Sequence, residues 1–484
     1  MRRSVLLAFC LILPTIALSA TPIMFQHIAS STNPTGNGID GHAFVFHTEK
    51  LPANATAVMG VTVAHGITVT MSDTLVGTWS AAVCKQDAGS GLAKTYLFVQ
   101  PLGAAGGADT ITIGVGSSNT QPVQFDLTIF ENIATTSAVN GSLCPSGGNL
   151  MPNASGVVNP GSFTPTTNNE ANGGNVIWNY TPICSTNAAA NASNFTPASG
   201  FKLLNGDIIW TDDQGFPEAS QYYVQTTQAA VTPSITATGE NGSRDCFNSV
   251  SVALKVANLG ATAPQTIHVA KIIHESFITF TSPGKQKVLF PTVGNLRVAA
   301  FTWQGGCPGA GAGCVTGLTS SDGCAWKVVG GTGGDALIGY AQNCAPCPAC
   351  TVTLNWSGGQ TLPQASFRLY DVENAKASSY QNSAGDEGSC GTSVATAPMI
   401  TPRGASSGLV IAALGNGNGP VTAVKGPTGS VFDLWTFAGQ TDSDLADNAD
   451  ASSHLYFSST AAEDWTYTKT HGSDECYWEA AAFD

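Results

Sequence analysis

Phe125-Asp126-Leu127-Thr128-Ile129-Phe130-Glu131 is the stretch whose reading decides the fold. Large apolar side chains take every second position, which is the period of a strand. The stretch closes on an aromatic and an acid, then runs into small residues over 134–138. About 240 residues later the same grammar returns as Phe367-Arg368-Leu369-Tyr370-Asp371, followed by small residues over 375–379.

Working outward, short strand patterns are expected at 23–28, 42–47, 56–64, 67–72, 96–99 and 110–115 before the first copy. They continue at 201–204, 221–226, 234–238 and 249–256 after it. The segments between carry Gly, Pro, Asn and Asp, as in Asn33-Pro34-Thr35-Gly36-Asn37-Gly38, and such residues are turn formers. No convincing helical period occurs.

Four matches in the same order align the ends of the two copies. Phe201-Lys202-Leu203-Leu204 parallels Phe432-Asp433-Leu434-Trp435, and Thr211-Asp212-Asp213 parallels Thr441-Asp442-Ser443-Asp444. Gln221-Tyr222-Tyr223-Val224 parallels His454-Leu455-Tyr456-Phe457, and Arg244-Asp245-Cys246-Phe247 parallels Asp474-Glu475-Cys476-Tyr477. A repeat of this length is a whole domain and not a solenoid unit. The expectation is an all-β protein of two tandem antiparallel β-sandwich (jelly-roll-like) domains from an internal duplication, at 21–256 and 267–484, with a linker at 257–266.

The pattern of an alternating strand, a Trp after an Asp-bearing turn (Ser72-Asp73 before Trp79, Ser321-Asp322 before Trp326) and an aromatic-acid strand end resembles exported bacterial β-sandwich proteins. The resemblance implies a fold and export, and no activity.

Residues 1–20 read as a signal peptide. Arg2 and Arg3 precede an apolar run over 5–18, and Ala17, Ser19 and Ala20 suit cleavage. The run is short for a membrane span and no second one follows, so a secreted or surface-exposed chain is expected. Net charge is −14, and −16 once Arg2 and Arg3 leave with the leader. That balance disfavours nucleic acid and anionic membrane as partners. Only 10% of residues are charged, against a usual share of about 25%. Such an uncharged polar surface suits neutral glycans or cations.

Loss of Cys10 with the leader leaves an even number of cysteines, which in an oxidising compartment favours disulfides over thiolate metal sites. Equivalent positions in the two copies suggest Cys144–Cys246 and Cys390–Cys476, with Cys84 and Cys184 left to pair. Cys307–Cys314 closes a local loop. The run Cys344-Ala345-Pro346-Cys347-Pro348-Ala349-Cys350 is read as disulfide-forming, with its partners open.

Candidate site residues fall in two groups. Asp442, Asp444, Asp447 and Asp450, with Asp212 and Asp213 in the matching loop, are candidate calcium ligands, although the spacing is not an EF-hand. A solvated acidic turn is the competing reading. Trp465 and Tyr467 share a face by alternation, and Tyr222 and Tyr223 point in opposite directions, so Trp465, Tyr467 and Tyr222 are candidate glycan-stacking rings. Core packing is the competing reading. No nucleophile elbow occurs. Strand-end acids such as Glu131, Asp371 and Glu475 leave a carboxylate pair as the one enzymatic option.

Three functions follow from these features. The first is a non-enzymatic exported protein binding glycan or another surface component. The second is a self-associating subunit of an extracellular layer or filament, with residues 21–28 as an exchanged strand. The third is a polysaccharide-active enzyme.

Overall fold

The computed structural model describes residues 22–32, 43–115, 123–184, 194–206, 218–238, 246–257, 266–277, 285–304, 315–330, 336–356, 364–389, 394–396, 400–403, 407–416, 421–425, 430–433, 436–438, 449–457, 466–469 and 475–484. These residues form several sheets, mostly antiparallel, and among them the only helical segment is the 3-10 turn Glu170–Asn172.

A ten-stranded sheet runs through the middle. Its order is Lys327–Gly330, Ala336–Gln342, Leu296–Gln304, Gln364–Glu373, His268–Phe277, Ile23–Thr32, Val123–Glu131, Thr56–Ala64, Ala93–Pro101 and Cys84–Asp87. Its central pair, Ile23–Thr32 beside His268–Phe277, is parallel, with Ile28 opposite Ile272. The first five strands come from the C-terminal half of the chain and the last five from the N-terminal half. The two halves therefore share one sheet.

Both faces of this sheet are covered. On one face lies an eight-stranded sheet: Val139–Leu143, Val250–Lys255, Asn175–Pro182, Glu218–Gln225, Lys202–Gly206, Lys285–Leu289, Thr351–Trp356 and Val315–Ser320. It too crosses between halves, through the single register pair Gly206 and Leu289. On the other face lie two five-stranded sheets. One is Thr436–Ala438, Ala43–His47, Thr110–Gly114, Thr70–Asp73 and Gly77–Thr78; the other is Tyr380–Ser389, Glu475–Phe483, Gly408–Asn416, Ala449–Phe457 and Ser430–Asp433.

The strand Val123–Glu131 shows what this layering does to sequence. Phe125, Leu127 and Ile129 pack with Phe46, Ile111 and Trp79 on one side. Phe130 packs with Trp178, Leu204 and Val252 on the other. Every residue of the strand is buried. Full burial of one such apolar side chain contributes about 1.5–3 kcal/mol. The layers approach closely at Gly60, where a Cβ would strike the Tyr180 ring.

The Asp-bearing turn before each Trp has a local role. Asp73 Oδ1 accepts the backbone N–H groups of Leu75 and Val76, and its Oδ2 accepts the Trp79 indole N–H. Asp322 instead accepts Ser320 Oγ and two bonds from Arg297.

The disulfides correct one expectation. Cys144 bonds Cys84 and Cys246 bonds Cys184, with Cα separations of 5.8 and 5.2 Å, so Cys144–Cys246 does not form. The cause is proximity of neighbouring segments. Cys184 N–H donates to Cys246 O at 2.7 Å, and Cys84 Sγ lies 3.6 Å from Leu143 O, next to Cys144. In the C-terminal half Cys324 bonds Cys344 and Cys347 bonds Cys350. Cys307, Cys314 and Cys390 lie outside the described residues. Cys476 sits on Glu475–Phe483 with its backbone opposite Gly388.

Candidate functional site

The seam between the halves gathers buried charge. Beneath the parallel pair, Lys271 Nζ donates to Leu204 O and to Pro291 O, both at 2.5 Å. One carbonyl comes from each half, on either side of the single-pair junction in the eight-stranded sheet. Asp371, the cross-strand neighbour of Lys271, accepts the Val293 and Gly294 N–H groups at 2.7 and 3.0 Å. His27 Nδ1 lies 3.1 Å from Thr128 Oγ1 and 3.5 Å from Asp126 Oδ1. Glu218 accepts from Tyr180 OH at 2.5 Å and from Asn205 Nδ2 at 3.2 Å.

Burial governs these groups. It pushes the Asp126 carboxyl up to about 8 and that of Asp371 up to about 6, and lowers Lys271 to about 8. His27 is lowered as well, by burial and then by Lys271. On the opposite face Glu49 Oε1 accepts from His454 Nε2 and Tyr456 OH, both at 2.8 Å. Perturbed ionisation marks functional sites, and structural ion-pair networks produce it too. Here Lys271, Asp126, Asp371 and His454 are all enclosed, so the seam holds the halves together and offers no access to a substrate.

Access exists on the outer face of the eight-stranded sheet. A groove of about 530 Å³ opens there between residues 198–201 and 226–234, within the usual size range of small-molecule sites. Its floor is aromatic, with Phe201 and Tyr223 ring centroids 5.4 Å apart. Gln225, Thr226, Thr232 and Ser234 supply polar edges. Among the described residues, the lining contains no charged residue.

The walls are set before any ligand arrives. Gln221 ties both, because its Oε1 accepts Ala198 N–H at 2.9 Å while its Nε2 donates to Pro233 O and Ser234 O at 3.3 and 3.0 Å. The far wall is pinned further by paired backbone bonds between Phe163 and Val231, and by Gln225 Nε2 to Ala229 O at 2.8 Å. Gly200 turns the near wall at φ +84°, and a Cβ there would sit 3.4 Å from the Tyr223 ring. The positive φ is what favours glycine at this turn.

Tyr222 and Tyr223 part as alternation expects, and it is Tyr223, not Tyr222, that lines the groove. Tyr222 packs edge-on to Phe130 at 5.7 Å, inside the layer facing the central sheet, with Lys202 Nζ 5.7 Å from its ring. Tyr223 faces the groove. Trp465 lies outside the described residues. Tyr467 is on Thr466–Lys469, with its backbone opposite Ala395 and Val424.

Of the acidic candidates, Asp212, Asp213, Asp442, Asp444 and Asp447 lie outside the described residues. Asp450 is on Ala449–Phe457 with its backbone opposite Gly415. Among the described residues, Asp322, Cys347 and Cys350 form a group whose ligand atoms lie within 4.8 Å of one another. The two sulfurs are joined to each other, so the group presents one carboxylate and no thiolate. Glu131 and Asp371 are buried, Glu475 has its backbone opposite Ser389, and none of the three lines the groove.

No family model and no curated protein matches this chain. Among solved structures, a Paenibacillus xanthan lyase aligns at 8% identity over 80% of this chain and 43% of its own, with a TM-score of 0.17. The chain spans less than half the length of that structure, and at this score no argument is drawn from it.

Proposed function

We propose that the protein is an exported, non-catalytic binder of neutral glycan, with the groove over Phe201 and Tyr223 as its site. The carrying observation is a preformed groove with an aromatic floor, hydroxyl and amide edges and no charge. A pyranose presents an apolar C–H face and a rim of hydroxyls, so ring stacking and neutral hydrogen bonds are the matching chemistry. Glycoside hydrolysis most often uses two carboxylates across the scissile bond, and the described lining of the groove carries none, which is why binding is the reading preferred for this groove.

Export is supported by the leader-like residues 1–20 and by several disulfides, which suggest an oxidising and extracellular setting. Internal duplication is supported by strand order. Read outward from the seam, Ile23–Thr32, Val123–Glu131, Thr56–Ala64, Ala93–Pro101 and Cys84–Asp87 correspond to His268–Phe277, Gln364–Glu373, Leu296–Gln304, Ala336–Gln342 and Lys327–Gly330. The filament reading relied on residues 21–28 as a strand lent to a neighbour. Ile23–Thr32 is hydrogen-bonded on both edges within its own chain, so nothing here favours that reading.

The test is calorimetric titration of the full chain with soluble neutral oligosaccharides, followed by Tyr223→Ala. Loss of one stacking ring is expected to weaken binding about five- to tenfold, with the fold retained by circular dichroism. Absence of binding across neutral glycans, or binding indifferent to Tyr223→Ala, overturns the assignment.

A further inference from the structure

The Cys347-Pro348-Ala349-Cys350 turn lies in the C-terminal half, and its chemistry owes nothing to the glycan reading. Three properties set it apart. Its disulfide closes a sequence separation of 3, against 60, 62 and 20 for the other described bridges. Chain-entropy stabilisation grows with loop length, so this bridge contributes least to holding the fold.

Second, the turn is fixed without its sulfurs. Thr292 and Cys347 exchange backbone bonds at 2.8 and 3.0 Å, Phe290 N–H donates to Cys350 O at 2.7 Å, and Cys347 N–H also reaches Thr292 Oγ1 at 3.3 Å. Both thiols would stay adjacent after reduction. Third, access is one-sided. Cys347 is half-buried and open to attack, whereas Cys350 is fully buried.

Beside the pair stands a fixed charge group. Arg297 donates to Asp322 at 3.0 and 2.6 Å and to Ala345 O at 3.0 Å. An Asp322 oxygen lies within 4.8 Å of both sulfurs.

We propose that Cys347–Cys350 is a thiol–disulfide exchange site that oxidises a dithiol on a protein or peptide partner. The partner's first thiolate attacks Cys347 Sγ, forming a mixed disulfide and breaking the Cys347–Cys350 bond. Cys350 leaves as thiolate and takes up the proton the partner lost. The partner's second thiolate then attacks its own sulfur in the mixed disulfide, and Cys347 leaves with the second proton. The partner is oxidised by two electrons, and Cys347 and Cys350 are reduced to thiols.

The test uses the full chain without denaturant. It is equilibrated with increasing reduced glutathione, quenched with acid, alkylated and mapped by peptide mass spectrometry, while circular dichroism follows the fold. Cys347 and Cys350 are expected to open at a glutathione concentration about tenfold or more below that opening Cys184–Cys246. In C350S, glutathione disulfide is expected to leave one adduct, on Cys347. A synthetic two-cysteine peptide is expected to be oxidised one-for-one by the native chain and not by C347S. If Cys347–Cys350 opens only together with the long-range bridges, it is a structural staple and the proposal is overturned. Failure of the native chain to oxidise the peptide overturns it as well.

Discussion

At the scale of single residues, Lys271 decides most. A lysine at this depth costs several kcal/mol to desolvate and is held by two carbonyls contributed by opposite halves. Lys271→Met keeps the length of the side chain and removes the donor. It leaves Leu204 O, Pro291 O and the Asp371 carboxylate enclosed without their cation, so a loss of about 3–5 kcal/mol is expected. Urea unfolding at neutral pH, read as a lower midpoint at unchanged slope, checks this. A loss near zero would mean that backbone pairing alone carries the seam. Tyr222 and Tyr223 teach a second lesson. Alternation showed that they part, but choosing the outward one requires knowing which side the next layer covers. Tyr222 lies against Phe130, and that contact is invisible in local sequence.

At the scale of elements, the groove depends on one glutamine more than on any ring. Gln221 bonds both loops that wall it, and those loops carry the polar edges. Gln221→Ala removes three bonds to backbone groups and frees both walls. Ordering them on binding then costs entropy that the native chain has already lost. Glycan affinity is expected to fall by at least as much as in Tyr223→Ala, with faster hydrogen exchange at 198–201 and 226–234 as the accompanying sign.

Elements also show where sequence was legible. The alternating strand Val123–Glu131, the turn-bounded strands and the absence of long helices among the described residues all follow from period and turn chemistry. Its polar alternates, Gln124, Asp126 and Thr128, are buried as well. A second layer covers that face, and Thr128 answers both His27 and the Trp178 indole there. Half-polar strands normally mark a two-layer sandwich. A polar seam between layers produces the same string.

At the scale of the whole molecule, enclosed acids outnumber enclosed bases in a way that titration reports. Burial raises Asp126 to about 8, Glu479 to about 7 and Asp371 to about 6. A folded-state value above the unfolded one means that the native chain holds the proton longer. Each such stabilisation is complete below the unfolded carboxyl range and is lost as pH rises through the folded value. His27, lowered by burial, acts oppositely, but only below its ordinary range near 6.5. Lys271, lowered to about 8, is protonated in both states below that value and adds no slope there. From pH 6.5 to 8, therefore, Asp126 and Glu479 set the direction, and the protein is expected to melt a few degrees lower at pH 8 than at pH 6.5. Each proton held only by the folded state changes stability by about 1.4 kcal/mol per pH unit. Asp126→Asn keeps the shape without the proton, so it should flatten the profile over that window while leaving the pH 6.5 midpoint close to that of the native chain. A native profile that stays flat between pH 6.5 and 8 would mean that Asp126 and Glu479 are ionised inside the fold.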